Sequence, residues 1–403
     1  MTTAISQDIG LDAGPLAHIK VVPVLLALAM GGFAIGTTEF AAMSLLPYIA
    51  AGLQVDEPTA SHAVSAYALG VVVGAPLIAV FAARFSRRLT LIWLMAAFAL
   101  ANILSAMAPS YGWLLLFRFI SGLPHGAYFG VAALVAASLV PQHQRTQAVA
   151  KVMLGLTVAN IIGVPVATAL GQALGWRFGF AITGFLALVT CVMVFALAPR
   201  DPARPGASPL RELGALRRRQ VWLTLAVGAV GFGGIFAVYA YTSTILLEVT
   251  MAPPTVIPIV MAIFGVGMTL GTLGSAWAAD RALMPTAAGL LIASVIILGA
   301  FPFLAGNVYT LAAGVFLVGV TSSLGTVLQT RLMDVAQDAQ TLAAALNHGA
   351  FNVANALGPW LGGMAILAGF GFTSVAWVGA GLSSLGLVVL GIAVWDERRS
   401  RKA

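Results

Sequence analysis

Apolar runs of roughly 20 residues follow one another along almost the whole of this 403-residue chain, separated by short polar gaps. A helix needs about 20 predominantly apolar residues to cross the hydrocarbon of a bilayer. Twelve segments reach that length: 21–48, 60–83, 89–109, 112–138, 147–172, 177–198, 221–248, 256–279, 285–305, 309–332, 341–368 and 372–395. Barrel strands would instead read as segments of about 10 residues with alternating polarity, and no other backbone arrangement satisfies its hydrogen bonds inside lipid. The pattern predicts an all-α integral membrane protein with 12 transmembrane helices. Little more than Pro109, Ser110 and Tyr111 separates spans three and four, which predicts a tight turn. The first run exceeds the apolar core of a signal peptide and is expected to be a retained helix.

Charge adds orientation. Only 8% of the residues are charged and 60% are hydrophobic, against about a quarter charged in a soluble domain. Of the 20 Lys and Arg, all but Arg118 and Arg177 fall at the amino end, at the gaps after spans two, four, six, eight and ten, or in the tail. Basic residues gather on the cytoplasmic side of membrane proteins. This places both termini in the cytoplasm and explains the net charge of +7 without a nucleic-acid partner. The basic run Arg217–Arg219 would also meet anionic membrane lipids. The lone Cys191 and five His give neither a disulfide framework nor metal-ligand spacing. No phosphate-cradling Gly-rich string ends in Lys-Ser/Thr, and no catalytic constellation is visible, so an enzyme is not expected. Transport would run on an ion gradient or on the solute's own gradient, without a cofactor.

The longest polar stretch, Pro199 to Gln220, divides the chain into a six-helix half over 1–198, a cytoplasmic linker over 199–220 and a second half over 221–403. Internal similarity supports the division. Val158-Ala159-Asn160 recurs as Val353-Ala354-Asn355 and Gly163 as Gly358, offset 195 (358 − 163); Gly70, Gly74 and Arg84 recur as Gly267, Gly271 and Arg281, offset 197 (267 − 70). Duplicated bundles around a central site are a secondary-transporter architecture, and the 44 glycines suit close helix packing in lipid.

Ionisable and polar residues inside the spans carry the candidate chemistry, because each is costly in lipid. Glu39, with Thr38 beside it, stands about five residues past the middle of span one, and Arg118 about seven from the middle of span four. Both lie toward the outer face, roughly 7 and 10 Å from the centre, and would pair. Arginine keeps its charge, so Glu39 would be the titrating partner in proton coupling. Arg118, Gly122 and His125 share one helix face at i, i+4 and i+7; His125 would relay a proton, contact substrate or serve as a structural donor. His348, Asn352 and Asn355 repeat that spacing in span eleven, and Asn160 is the mate of Asn355; they would line a cavity or bond between helices. Phe33, Phe232, Phe236, Tyr239 and Phe351 would shape an apolar chamber or simply pack.

On these residues the chain resembles the major facilitator superfamily along its whole length. Arg84, Arg87 and Arg88 match that superfamily's loop signature after span two, with Ala79 and Ser86 where glycines are expected and Ala83 where the aspartate is expected. Asp280-Arg281 in the second half keeps the acid, which in the family helps latch the cytoplasmic side. Arg118-Phe119-Ile120-Ser121-Gly122-Leu123-Pro124-His125-Gly126 resembles the span-four arginine motif implicated in proton coupling. With Gly36-Thr37-Thr38-Glu39-Phe40 it is similar to the arabinose-efflux-permease group of drug:proton antiporters. Gly155, Gly163, Pro165 and Gly171 resemble that group's antiporter motif, with Val164 splitting the usual Gly-Pro pair. The resemblance implies a monomeric, proton-coupled exporter of a small organic solute from the bacterial cytoplasm, set in the inner membrane and working by alternating access. A symporter or uniporter for uptake shares the architecture; a non-transporting receptor or scaffold is the alternative of another class.

Overall fold

The computed structural model describes residues 21–82, 85–141, 145–200, 213–336 and 340–400, and among them every regular element is helical. Span one is the helix Val21–Ser44, continued past Leu45 by the short helix Leu46–Leu53. That helix stops at Gln54, in the left-handed region at φ 55°, whose amide reaches the carbonyls of Ala50 and Ala51. Span two, Glu57–Ala82, is capped by Asp56, whose Oδ1 accepts from the Thr59 amide at 2.6 Å. Hydrogen bonds from the Thr59 side chain and backbone hold the Asp56 carboxyl below its usual range. Its contribution to stability is therefore present above the unfolded carboxylate range and is lost as pH falls through the lowered folded value.

Spans three, four and six are Arg87–Ala106, Tyr111–Ser138 and Arg177–Leu197. The tight turn between spans three and four is clasped by Arg177, which donates to the carbonyl of Ala108 at 3.0 Å and lies over the Trp176 ring at 4.3 Å. Arg177, the one basic residue in that set of gaps, thus has a packing role of its own. Span five is broken into Arg145–Val158, a π-helical turn Ala159–Gly163 and Val164–Leu174. Pro165 supplies no amide donor, so the ladder beneath it is open, and the wider turn lies directly before it.

In the second half, span seven is Arg219–Gly231 and Gly233–Thr244, span ten Val308–Thr321 and Leu324–Ala336, span eleven Gln340–Ala365 and span twelve Ser374–Ser400. The polar gap between spans eight and nine is shorter than its charges suggest. Helical hydrogen bonding runs over Ile257–Leu304, and only Ala282 leaves helical geometry, at φ −155°, ψ 80°. Forty-eight residues of straight helix would reach about 72 Å, more than twice the hydrocarbon thickness, so the two arms count as separate crossings. Among the described residues 11 helices are long and apolar enough to cross a membrane, one of them this double arm, which gives the 12 spans expected. Of the expected linker, residues 201–212 lie outside the described residues, as does Arg84 of the loop signature.

The sequence repeat is a packing repeat. A Cβ at Gly70, Gly74 or Gly122 would fall on the carbonyl oxygen of Phe119, Leu123 or Tyr67, so spans two and four touch backbone to backbone. A Cβ at Gly267, Gly271 or Gly319 would fall on Phe316, Val320 or Phe264 in the same way. Every member of the second set lies 197 residues after its mate (316 − 119, 320 − 123, 264 − 67).

The gaps after spans two, four, six, eight and ten define a basic end of the bundle. There Arg331 Nη2 bonds Glu397 at 2.8 Å and the Gln220 side chain at 3.2 Å, while Arg219 pairs with Asp396 at 3.0 Å. This network ties spans seven, ten and twelve. Glu397→Ala is expected to lower the unfolding free energy by about 1–2 kcal/mol, since the mostly buried Arg331 keeps its charge but loses its ion pair. Thermal unfolding in detergent measures it, with Glu397→Gln retaining part of the loss.

Candidate functional site

Positions 38 and 39 point about 100° apart around span one, and this small angle divides the site in two. Thr38 faces the interior of the first half. Its hydroxyl donates to Asn102 Oδ1 at 2.7 Å and accepts from Arg118 Nη1 at 3.1 Å. Arg118 also donates from Nε to the Ala63 carbonyl at 3.4 Å and lies over the rings of Tyr67 and Phe180, at 4.3 and 5.1 Å. It is fully buried, and these partners all belong to the first half. Tyr67 serves the whole expected face of span four: its ring meets Arg118, its carbonyl excludes a side chain at Gly122, and its hydroxyl bonds His125 Nδ1 at 2.8 Å.

Glu39 faces the other half. Its Oε1 accepts from Asn355 Nδ2 of span eleven at 3.0 Å. The direct Glu39–Arg118 pair expected from depth is absent in this state: the ion pairs among the described residues are Arg219–Asp396 and Arg331–Glu397. Equal depth did not suffice because Thr38 occupies the direction toward Arg118.

The span-eleven stripe is brought together as its spacing predicts. Asn355 Nδ2 also reaches Asn352 Oδ1 at 3.4 Å, and Asn352 Nδ2 donates to the His348 carbonyl at 2.9 Å. One turn toward the basic end, His348 stacks on Phe129 of span four at 4.7 Å and 3° and faces His125 at 5.7 Å. The two histidines, singled out on different halves, are thus neighbours across the interface. Asn160 sits in the π-turn of span five, its Nδ2 bonded to the Leu156 carbonyl at 3.1 Å; a Cβ at Gly265 of span eight would strike the Asn160 backbone.

The aromatic residues separate into two groups. Phe236 and Tyr239 meet Phe40 across the interface, at 6.2 and 5.2 Å, and Phe264 joins them, 4.4 Å from Tyr239. Phe232 links Phe236 at 5.3 Å to Phe351 at 4.7 Å within the second half. Phe33 is not among them; it packs inside the first half, where a Cβ at Gly163 would meet it at 3.0 Å. The glycines of span five all address span one: Gly155 against the Ala29 carbonyl, Gly163 against Thr37 and Phe33, Gly171 against Leu45. The helix carrying Glu39 is therefore seated on the span-five glycines.

Sequence reasoning missed Tyr67, Asn102, Phe129 and Phe264 as site residues. Asn102 was detectable as a polar group inside an apolar span, and Tyr67 and Phe264 as mates at offset 197 (264 − 67). At the basic end Arg87 donates to the Leu134 carbonyl at 3.4 Å and Arg88 lies over Phe195 at 4.9 Å. Arg281 folds back on Trp277, at 3.8 Å from its ring, and Asp280 is exposed. At the opposite end the halves are joined by Ser243 Oγ donating to the Ser44 carbonyl at 2.9 Å, Gln172 to Pro254 at 3.0 Å, and Thr244 to the Glu57 carboxylate, while Ser65 donates to the Ala356 carbonyl at 3.2 Å beside Asn355.

Two six-span halves enclosing a buried acid and a facing polar stripe define a membrane transporter rather than an enzyme. The chain belongs to the Major Facilitator Superfamily, whose family model matches residues 28–304 and 246–403. It is 42% identical over 373 residues to the inner membrane transport protein YdhP of Escherichia coli K12, covering 92% of this chain and 96% of that protein. It is 33% identical over 343 residues to a chloramphenicol resistance protein of Streptomyces lividans, covering 83% and 87%. Among solved structures, a bacterial homologue of the human lysosomal transporter Spinster superposes with a TM-score of 0.69 at 17% identity, over 92% of this chain and 96% of that one, which shows the shared fold.

Proposed function

We propose that this transporter exports a small organic solute across the bacterial inner membrane in exchange for protons, by alternating access. The observation that carries the reading is Glu39. Among the described residues it is the carboxylate buried well inside a span, 5% exposed, and its hydrogen-bond partner Asn355 belongs to the opposite half. A proton on this group and the separation of the halves therefore act on the same contact. Each ligand must bind the two facing states with different affinity for coupling to occur; a bond made only while the halves meet supplies that difference.

The charge distribution supports a cytoplasmic basic end with both termini inside. With that orientation the three interhalf hydrogen bonds at the opposite end close the outer side, and this state is not open outward. Export rather than uptake is favoured by the span-five glycine pattern and by a relative whose name includes resistance to an antibiotic. The first half lacks the loop acid at Ala83, and the Arg331–Glu397 network, which joins spans of the second half alone, does not reach across to replace it.

The test is proton movement in proteoliposomes under an imposed pH gradient, with sugars, purines and antibiotics supplied one at a time. Solute-dependent proton flux opposite in direction to solute movement is the expected result. Solute movement with no accompanying proton flux would overturn the coupling and leave a uniporter.

A further inference from the structure

We propose that the face formed by Glu39, Phe40, Asn160, Tyr239, Phe264 and Asn355 takes a ring-bearing solute that carries several N–H or O–H donors and no negative charge. This rests on the reading of the chain as a solute transporter and names the class of solute.

The argument starts from three polar atoms that have no partner. Asn160 Oδ1, Asn355 Oδ1 and the Tyr239 hydroxyl are buried without a hydrogen bond, in residues 0%, 0% and 1% exposed. Buried polar groups are normally satisfied, and each exception calls for a reason. Both carboxamides already use an N–H: Asn160 toward the Leu156 carbonyl, Asn355 toward Glu39 and Asn352. What remains unsatisfied on each is an acceptor, and an acceptor is completed by a donor. Glu39, bonded to Asn355, is a further acceptor beside it, and the Asn160 backbone meets Gly265, next to Phe264. A solute that satisfies the carboxamide oxygens and Glu39 brings donors, with the Tyr239 hydroxyl free to accept one more, and it does so at the seam between the halves, where Asn355 and Tyr239 come from one side and Glu39 and Phe40 from the other.

Charge points the same way. The face carries one acid and no basic side chain. Arg118 also has an unpartnered Nη2, but it lies behind Thr38, between Tyr67 and Phe180 of the first half. An anion on this face would meet Glu39 and the carboxamide oxygens before it met the guanidinium. Shape supplies the ring. Phe40, Tyr239 and Phe264 present edge and tilted faces to one another at 5.2 and 4.4 Å, an arrangement that accepts another flat ring by the same offset and edge contacts as the halves part.

The experiment uses the full chain in lipid nanodiscs and two matched series of probes. One series is 4-hydroxybenzamide, its fully O- and N-methylated form, and 4-hydroxybenzoate; the other is indole-3-acetamide, its fully N-methylated form, and indole-3-acetate. Equilibrium binding is read by calorimetry. In at least one series the donor-bearing amide is expected to bind at least about tenfold tighter than both the methylated form and the carboxylate. Tyr239→Phe and Asn355→Leu, each checked for a cooperative thermal transition, are expected to abolish the preference for the donor-bearing form over the methylated one. A carboxylate that binds as tightly as the amide would overturn the proposal. So would a donor preference that survives in folded Tyr239→Phe, or failure of every probe in both series to bind folded protein. The coupling reading fails separately: a donor preference with no proton exchanged on binding removes the proton and leaves the solute class, whereas proton exchange without donor preference does the reverse.

Discussion

Glu39→Gln is expected to reduce gradient-driven export to background while solute–solute exchange continues and the amount of protein in the membrane is unchanged. The substitution keeps the shape of the side chain and an oxygen that accepts from Asn355 Nδ2, now 3.0 Å from the carboxylate. It removes only the ability to gain and lose a proton. A purely structural role for Glu39 would be satisfied by glutamine, so the two roles separate in one variant. The measurement is proton flux and counterflow in the same proteoliposomes. Wild-type proton flux from Glu39→Gln would remove Glu39 from the coupling step, and loss of counterflow as well would indicate damage to the solute path.

Gly155→Val is expected to abolish accumulation of folded protein. A Cβ there falls on the Ala29 carbonyl, and the Phe33 amide is 2.9 Å away, so spans one and five would have to separate along the helix that carries Glu39. Overpacking of a close helix contact costs about 1–3 kcal/mol or more, and in lipid such contacts supply much of the association. Gly289→Val serves as the comparison, because nothing lies within 4 Å of a Cβ at that position. Fluorescence-detected size exclusion and thermal unfolding measure both. A Gly155→Val protein as stable as wild type would mean that the span-five glycine pattern serves movement rather than packing.

Much of the architecture is legible in the sequence. Apolar run length alone set the number of crossings, because a bilayer leaves the backbone almost no alternative. The repeat at offset 197 proved to be a repeat of backbone contacts, since only glycine permits Phe119 and Phe316 carbonyls to approach the neighbouring helix so closely. The polar stripe His348, Asn352, Asn355 was legible from 3.6-residue periodicity. The connection at Ala282 was not: charges at Asp280 and Arg281 read as a loop, while the helical hydrogen bonding passes through them with a single broken residue.

Partnerships were the other illegible part. Depth in the membrane is a one-dimensional quantity, and the sequence places Glu39 and Arg118 at similar levels. Which way each side chain points around its helix, and which helix stands there, is a matter of packing. Packing gave Thr38 to Arg118 and Asn355 to Glu39, and it set His348 against Phe129 and His125. The sequence by itself determined the medium, the number of spans and which few side chains would be too costly to bury without a purpose. Only the tertiary structure decided which of them face each other across the two halves, because that depends on helix rotation and on contacts between residues as much as 316 positions apart.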